Sequence, residues 1–211
     1  MRGAGARLWQ RWVVAFTLGE LVGFGLIPAL GGLGVFALTG SMPTAPRALL
    51  LYVVAVVGGF GEGAVLAAFQ RRVLRTAWPT IAGRRWVVRT GAAASVAWAA
   101  GMLPPTLDDL VALPVEAHVA LWVVAGIVIL PSIGVAQASV LAEHAARPGR
   151  WVLWNVLGWL GGLPWTFVLP ALVPDDAPLA AFGGAMLIGG VLMGATAGAI
   201  TGVGLVRLTR R

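Results

Sequence analysis

The stretch "RWVV" occurs at Arg11–Val14 and again at Arg85–Val88, and a near copy, "RWVL", occupies Arg150–Leu153. Each copy opens a long apolar run. An arginine followed by a tryptophan at the start of such a run is the pattern of a helix entering a bilayer, with the indole at the headgroup level and the guanidinium reaching lipid phosphate. Three copies predict three equivalent entries from one side. Working outward from them, uninterrupted apolar segments predict helices over 12–36, 49–69, 86–103, 117–140, 151–172 and 179–206.

Composition supports the same reading. Of 211 residues, 59% are hydrophobic and 11% charged, against roughly 25% charged in an ordinary soluble domain. Such a chain cannot cover itself with polar surface in water. The net charge of +7 could point to nucleic acid, so the placement of the charges decides. Arg2, Arg7 and Arg11 precede the first run; Arg71, Arg72, Arg75, Arg84 and Arg85 separate the second and third; Arg147 and Arg150 separate the fourth and fifth; Arg207, Arg210 and Arg211 close the chain. With six crossings all four groups share one side. The opposite side receives Arg47 with Asp108, Asp109, Glu116, Asp175 and Asp176. Because basic loops stay in the cytoplasm, both termini are expected there, in a multi-pass protein of the bacterial inner membrane. Orientation accounts for the basicity, and no nucleic-acid partner is expected. The first run is too long for a signal peptide and lacks a small-x-small cleavage site, so it is read as a retained helix.

The repeat extends past the entry motif. Gly59, Ala67, Gln70 and Leu74 align without gaps over Gly126, Gly134, Gln137 and Leu141, and these over Gly190, Gly198, Thr201 and Leu205, at offsets of 67 and 64. The odd-numbered helices follow at offsets of 74 and 65. The expected fold is therefore all-α: an integral membrane six-helix bundle in one domain, 1–211. It is built from three hairpin repeats, approximately 11–75, 85–141 and 150–205, related by a pseudo-threefold axis along the membrane normal. Arg11, Trp12, Arg85, Trp86, Arg150 and Trp151 are its expected membrane-interface anchors. Glycines four apart, as in Gly190, Gly194, Gly198 and Gly202, form flat stripes on which helices pack closely in lipid.

"GFGEGAVLAAFQRRVL", "IGVAQASVL" and "RWVLWNVLGWLGGLPWTF" resemble segments of small uncharacterised bacterial polytopic membrane proteins with repeated G..Q...L and RW hairpin motifs. The resemblance covers most of the chain and implies a fold. It carries over no activity.

Ionisable groups inside a crossing cost some 2.5 to 3.5 kcal/mol on insertion scales and are functional candidates by default. Glu20 lies eight residues past Trp12, and Glu62 eight residues before Gln70 on a helix running the other way. Both are expected about 12 Å inside the cytoplasmic boundary. Arg89, Gln70, Gln137 and Asn155 add polar groups to the same half, with Arg89 placed either to reach the cytoplasm or to neutralise a carboxylate. Only the first hairpin carries an acid here: Ile129 and Met193 occupy the positions equivalent to Glu62.

Two functions follow. In one the cluster is structural, and the protein is a non-enzymatic scaffold or accessory component contacting the bilayer and other membrane subunits. In the other, Glu20, Glu62, Gln70, Arg89, Gln137 and Asn155 surround a cytoplasm-facing ligand or ion site of a small transporter or channel. Catalysis is disfavoured. Lysine and cysteine are absent, and His118 and His144 fall on opposite sides of the membrane outside any hydrolytic or metal-binding motif. No catalytic residue, metal or cofactor is expected.

Overall fold

The computed structural model describes residues 3–209, leaving aside the side chains of residues 26–30. Arg2, Arg210 and Arg211, counted above on the arginine-rich side, lie outside the described residues. Within them the chain is helical with no strand. α1 (Gly3–Glu20) runs through a π-helical segment (Leu21–Leu30) into α2 (Gly31–Leu38); α3 (Thr44–Ala77), α4 (Gly83–Val111) and α5 (Val115–Leu141) follow; then α6 (Gly149–Gly162), α7 (Pro164–Ala171) and α8 (Leu179–Thr209). α3, α5, the joined α6 and α7, and α8 are long and apolar enough to cross a membrane. Their outward faces carry exposed Val53, Val57, Ile127, Leu160 and Ile188, which only lipid covers at low cost. The chain is a helical membrane protein in contact with a bilayer.

Several expected boundaries move, each for a local reason. The helix expected over 12–36 is three pieces, because Pro28 cannot donate its i→i−4 bond and the turns around it widen. The helix expected to stop at Leu103 continues through Pro104 and Pro105 to Ala112, which adopts a left-handed φ of 48°. Neighbouring helices can satisfy backbone groups that such prolines free. α3 extends well beyond 49–69 through Arg71, Arg72 and Arg75, good helix formers that end outside the apolar stretch. The span at 151–172 breaks at Leu163, where Pro164 supplies no N–H.

The helices close on themselves in space. α1 packs between α3 and α8, α3 against α4, α4 against α5, α5 against α6, and α6 against α8. One end of this arrangement carries the chain termini with the α3–α4 and α5–α6 turns and is called the terminal end. The other carries the remaining turns and is the distal end. Close contacts follow the small-residue stripes. On α8, Gly190 faces Phe24, Gly194 faces Glu20, Gly198 faces Phe16 and Gly202 faces Trp9 and Trp12, so the whole stripe lies on α1 and the π-helical segment that continues it.

Candidate functional site

Two polar layers lie at different depths. At the terminal end Trp12, Trp86 and Trp151 are wholly buried, at 0% exposure. Their rings therefore meet protein rather than lipid headgroups. The arginines beside them, Arg11, Arg85 and Arg150, do stay exposed. An indole is mostly apolar but must place one N–H when buried, and each finds a polar group opposite. Trp12 Nε1 donates to Thr201 Oγ1 at 2.9 Å, Trp151 Nε1 to Gln137 Oε1 at 2.9 Å, and Trp86 Nε1 to Gln70 Oε1 at 3.3 Å. Gln137 Nε2 donates in turn to Gln70 Oε1 at 3.0 Å and Thr90 Oγ1 at 3.2 Å. The rings of Trp12 and Trp151 meet edge to face, 5.6 Å between centroids. Asn155 is buried in the same region and donates only to Trp151 O, one turn back, with its Cβ against Gly134. The amides are thus committed to one another and to the indoles, a satisfied network that fixes which helix faces meet.

Arg89 is not part of it. It is exposed, and its Nη1 donates to Ser139 Oγ at 2.6 Å on the neighbouring α5. Its position within two turns of the start of α4 is shallow enough for the guanidinium to leave the interior, and of the two placements open to it in the sequence it takes the one away from Glu20 and Glu62.

The two acids form the deeper layer. α1 meets α3 with Gly19 against Leu66 and Gly23 against the Glu62 backbone, an approach that seats the Glu20 carboxyl beside that of Glu62. A Cβ on Gly194 of α8 would stand 2.8 Å from Glu20 Cβ, so only glycine leaves room for the acid on that side. Both acids are buried. Trp98 Nε1 donates to Glu62 Oε2, and a Cβ on Gly59 would overlap the Trp98 ring, so that glycine admits the indole. The oxygens of Glu20 have no donor beyond the Glu62 carboxyl beside them. Charged groups on the surrounding elements lie elsewhere: Arg7 and Arg11 on α1, Arg71, Arg72 and Arg75 on α3, Arg84 and Arg85 on α4, and Arg207 on α8 are all toward the terminal end, while Arg47, Asp108 and Asp109 are toward the distal end.

From Glu62 a cavity of about 300 Å³ extends among α4, α5, α6, α7 and α8. Its walls are Phe24, Ala94, Trp98, Met102, Trp122, Ile129, Trp159, Leu163, Phe167 and Met193, among others, and among the described residues Glu62 is the sole charged one lining it. Trp122 and Phe167, both exposed, sit at its rim. The lining residues of α4 begin at Ala94, beyond the tryptophan layer, and continue to Pro105, so the cavity lies toward the distal end. The sequence reading placed a ligand site in the opposite half, among the amides. Trp98 is not among the site residues expected from the sequence, and the one signal there for its bond to Glu62 is the glycine opposite, Gly59. No three His, Asp or Glu side chains gather as a metal site among the described residues.

Comparison with protein-family models, with curated proteins and with solved structures finds no match to this chain.

Proposed function

We propose that the protein is a non-enzymatic, six-crossing membrane protein of the transporter class, holding a small lipophilic molecule in its interior cavity above a paired acid. The observation that carries this reading is the coincidence of a cavity of ligand size with one charged lining residue, Glu62, whose carboxyl adjoins that of the buried Glu20. A bundle serving only as a scaffold has no use for either. The amide layer fits a structural role, and the earlier idea of a cytoplasm-facing site is replaced by one in the distal half.

Three hairpin repeats with both termini in the cytoplasm remain part of the proposal. Their support is the cyclic order of the terminal network: Trp86 of the second hairpin bonds Gln70 of the first, Trp151 of the third bonds Gln137 of the second, and Trp12 of the first bonds Thr201 of the third. The same order explains the cavity. Twelve residues past each entry tryptophan stand Phe24, Trp98 and Leu163. Phe24 covers Gly190 and Trp98 covers Gly59, whereas nothing lies within 4 Å of a Cβ placed on Gly126, their counterpart. The third hairpin supplies a leucine and a helix break where the others supply a stacked aromatic pair, 6.3 Å between centroids.

Restoring the missing ring tests the reading. Leu163→Trp is expected to abolish saturable binding of tert-butylbenzene to protein in lipid nanodiscs, followed by saturation-transfer NMR against empty nanodiscs. Wild-type protein that is folded yet shows no binding returns the scaffold function. Orientation is checked separately: cysteines at Asp109 or Asp176 are expected to react from the periplasm, and cysteines at Arg72 or Pro148 only after the membrane is broken. The reverse pattern inverts the topology.

A further inference from the structure

The chemical class of the ligand can be argued from charge balance, and the argument rests on the cavity reading above. Two carboxyl groups adjoin in a buried interior, where the side chains that act on them are each other and Trp98. When one of them is ionised it has the Trp98 N–H and the neighbouring carboxyl as donors but no positive charge, so a cation from outside the protein is what would balance it. A proton is one such charge. A hydrated metal ion is a poor alternative, since the cavity offers one carboxylate and almost wholly apolar walls, and metal ions of this kind demand several oxygen ligands.

The walls favour a different cation. Phe24, Trp98, Trp122, Trp159 and Phe167 all line the space, and aromatic faces attract a weakly hydrated organic cation most strongly where water is excluded. We infer that the cavity takes a lipophilic monocation of the aryl or alkyl ammonium class, its charged head toward Glu62 and Glu20 and its apolar body among the aromatic residues. Binding exchanges one charge for another: the cation enters, one proton leaves the carboxyl pair for solvent, and the net charge of the buried site is unchanged. No bond to carbon forms or breaks. Trp98 is a positioning residue, holding the Glu62 carboxylate by one oxygen and leaving the other free for the ligand. Tyr52 lies ten residues distal to Glu62 on α3, and Asp108 and Asp109 lie beyond the cavity on α4, so the exchange involves the two glutamates alone.

The test compares phenyltrimethylammonium with its neutral carbon isostere, tert-butylbenzene, on protein in nanodiscs by saturation-transfer NMR over a series of pH values. One-for-one exchange predicts that cation affinity rises roughly tenfold per pH unit while the pair is protonated, and that the isostere binds independently of pH. Glu62→Gln is expected to weaken the cation on the order of 100-fold, as removing one partner of a buried pair does, with the isostere little changed; Glu62→Asp restores part of the loss together with the pH slope. Should Glu62→Gln fail to fold, Glu20→Gln serves instead and is expected to weaken the cation and flatten its pH dependence. Equal, pH-independent binding of both probes overturns the cation assignment while leaving the cavity reading intact. Absence of binding by either probe to folded protein overturns both.

Discussion

The terminal and distal halves of this bundle bury polar groups in opposite ways. In the terminal half, Gln70, Gln137, Thr90 and Thr201 are met by partners, chiefly one another and three indoles. In the distal half, the Glu20 carboxyl has only that of Glu62 beside it, and Glu62, bonded to Trp98, lines an apolar cavity. A satisfied network holds a structure together and leaves nothing over for a ligand. A pair of acids with no positive charge beside it, one of them at the edge of a cavity, costs stability and is retained where something else uses it. The same kind of residue, polar and buried, therefore means different things a few turns apart along the same helices.

That contrast breaks most visibly at Gln137, which links α5 to α3, α4 and α6. Gln137→Leu is expected to remove three hydrogen bonds and leave Trp151 Nε1 without a partner. At about 1 kcal/mol for each interhelical bond in lipid, the loss is roughly 2 to 3 kcal/mol, read as a lower midpoint in thermal or denaturant unfolding. Binding in the distal cavity should survive in whatever fraction remains folded. A variant as stable as wild type shows that the terminal network is ornamental and that the division between the halves fails.

Much of this division was legible in the sequence, but not its geometry. Hydropathy and arginine placement marked the apolar runs because lipid selects strongly for both. The gap-free offsets singled out Gln70, Gln137 and Thr201 as equivalent. What misled was the amphipathic character of tryptophan: a ring beside an arginine at a helix start suits the headgroup layer, and equally suits an interior that supplies one acceptor. Which of these wins depends on whether Gln70 or Gln137 lies opposite, a tertiary fact with no local signature. The depth match of Glu20 and Glu62 could be read because it follows from helical rise alone. The cavity could not, because side chains such as Leu163, Trp122 and Phe167 that line it come from separate helices, at a distance from the residues that were singled out.

Glycines at equivalent positions sharpen the comparison further. Gly59 and Gly126 align in the repeat, yet one supports Trp98 and the other faces open space. Gly59→Ala is expected to push Trp98 off Glu62, costing about 1 to 3 kcal/mol as overpacking does, and to weaken cation binding as well. Gly126→Ala meets nothing and gains helix propensity, so stability should hold or rise by up to about 1 kcal/mol. Similar losses at both positions would mean that the space beside Gly126 is as tightly packed as that beside Gly59.

The smallest effect is expected at the one strong ion pair, and it separates burial from charge as the source of stability. Arg85 grips Glu143 through two hydrogen bonds of 2.6 and 2.8 Å at the terminal end, both side chains about half exposed. Hydrogen bonding from Arg85, with help from its charge, holds the Glu143 carboxyl below the usual carboxylate range. Because the folded-state value is the lower one, any stabilisation is present above the unfolded pKa and fades only as pH falls through the folded value, well into acid. Water and salt screen an exposed pair, and ordering two long side chains offsets much of the attraction. Glu143→Gln is therefore expected to leave the unfolding midpoint at neutral pH unchanged within error, and raising salt should change wild type and variant alike. A clear loss, removed by salt, would show that charge at the bundle surface rivals the buried tryptophan and amide layer only a turn deeper, and that stability at this end is not set by satisfied burial alone.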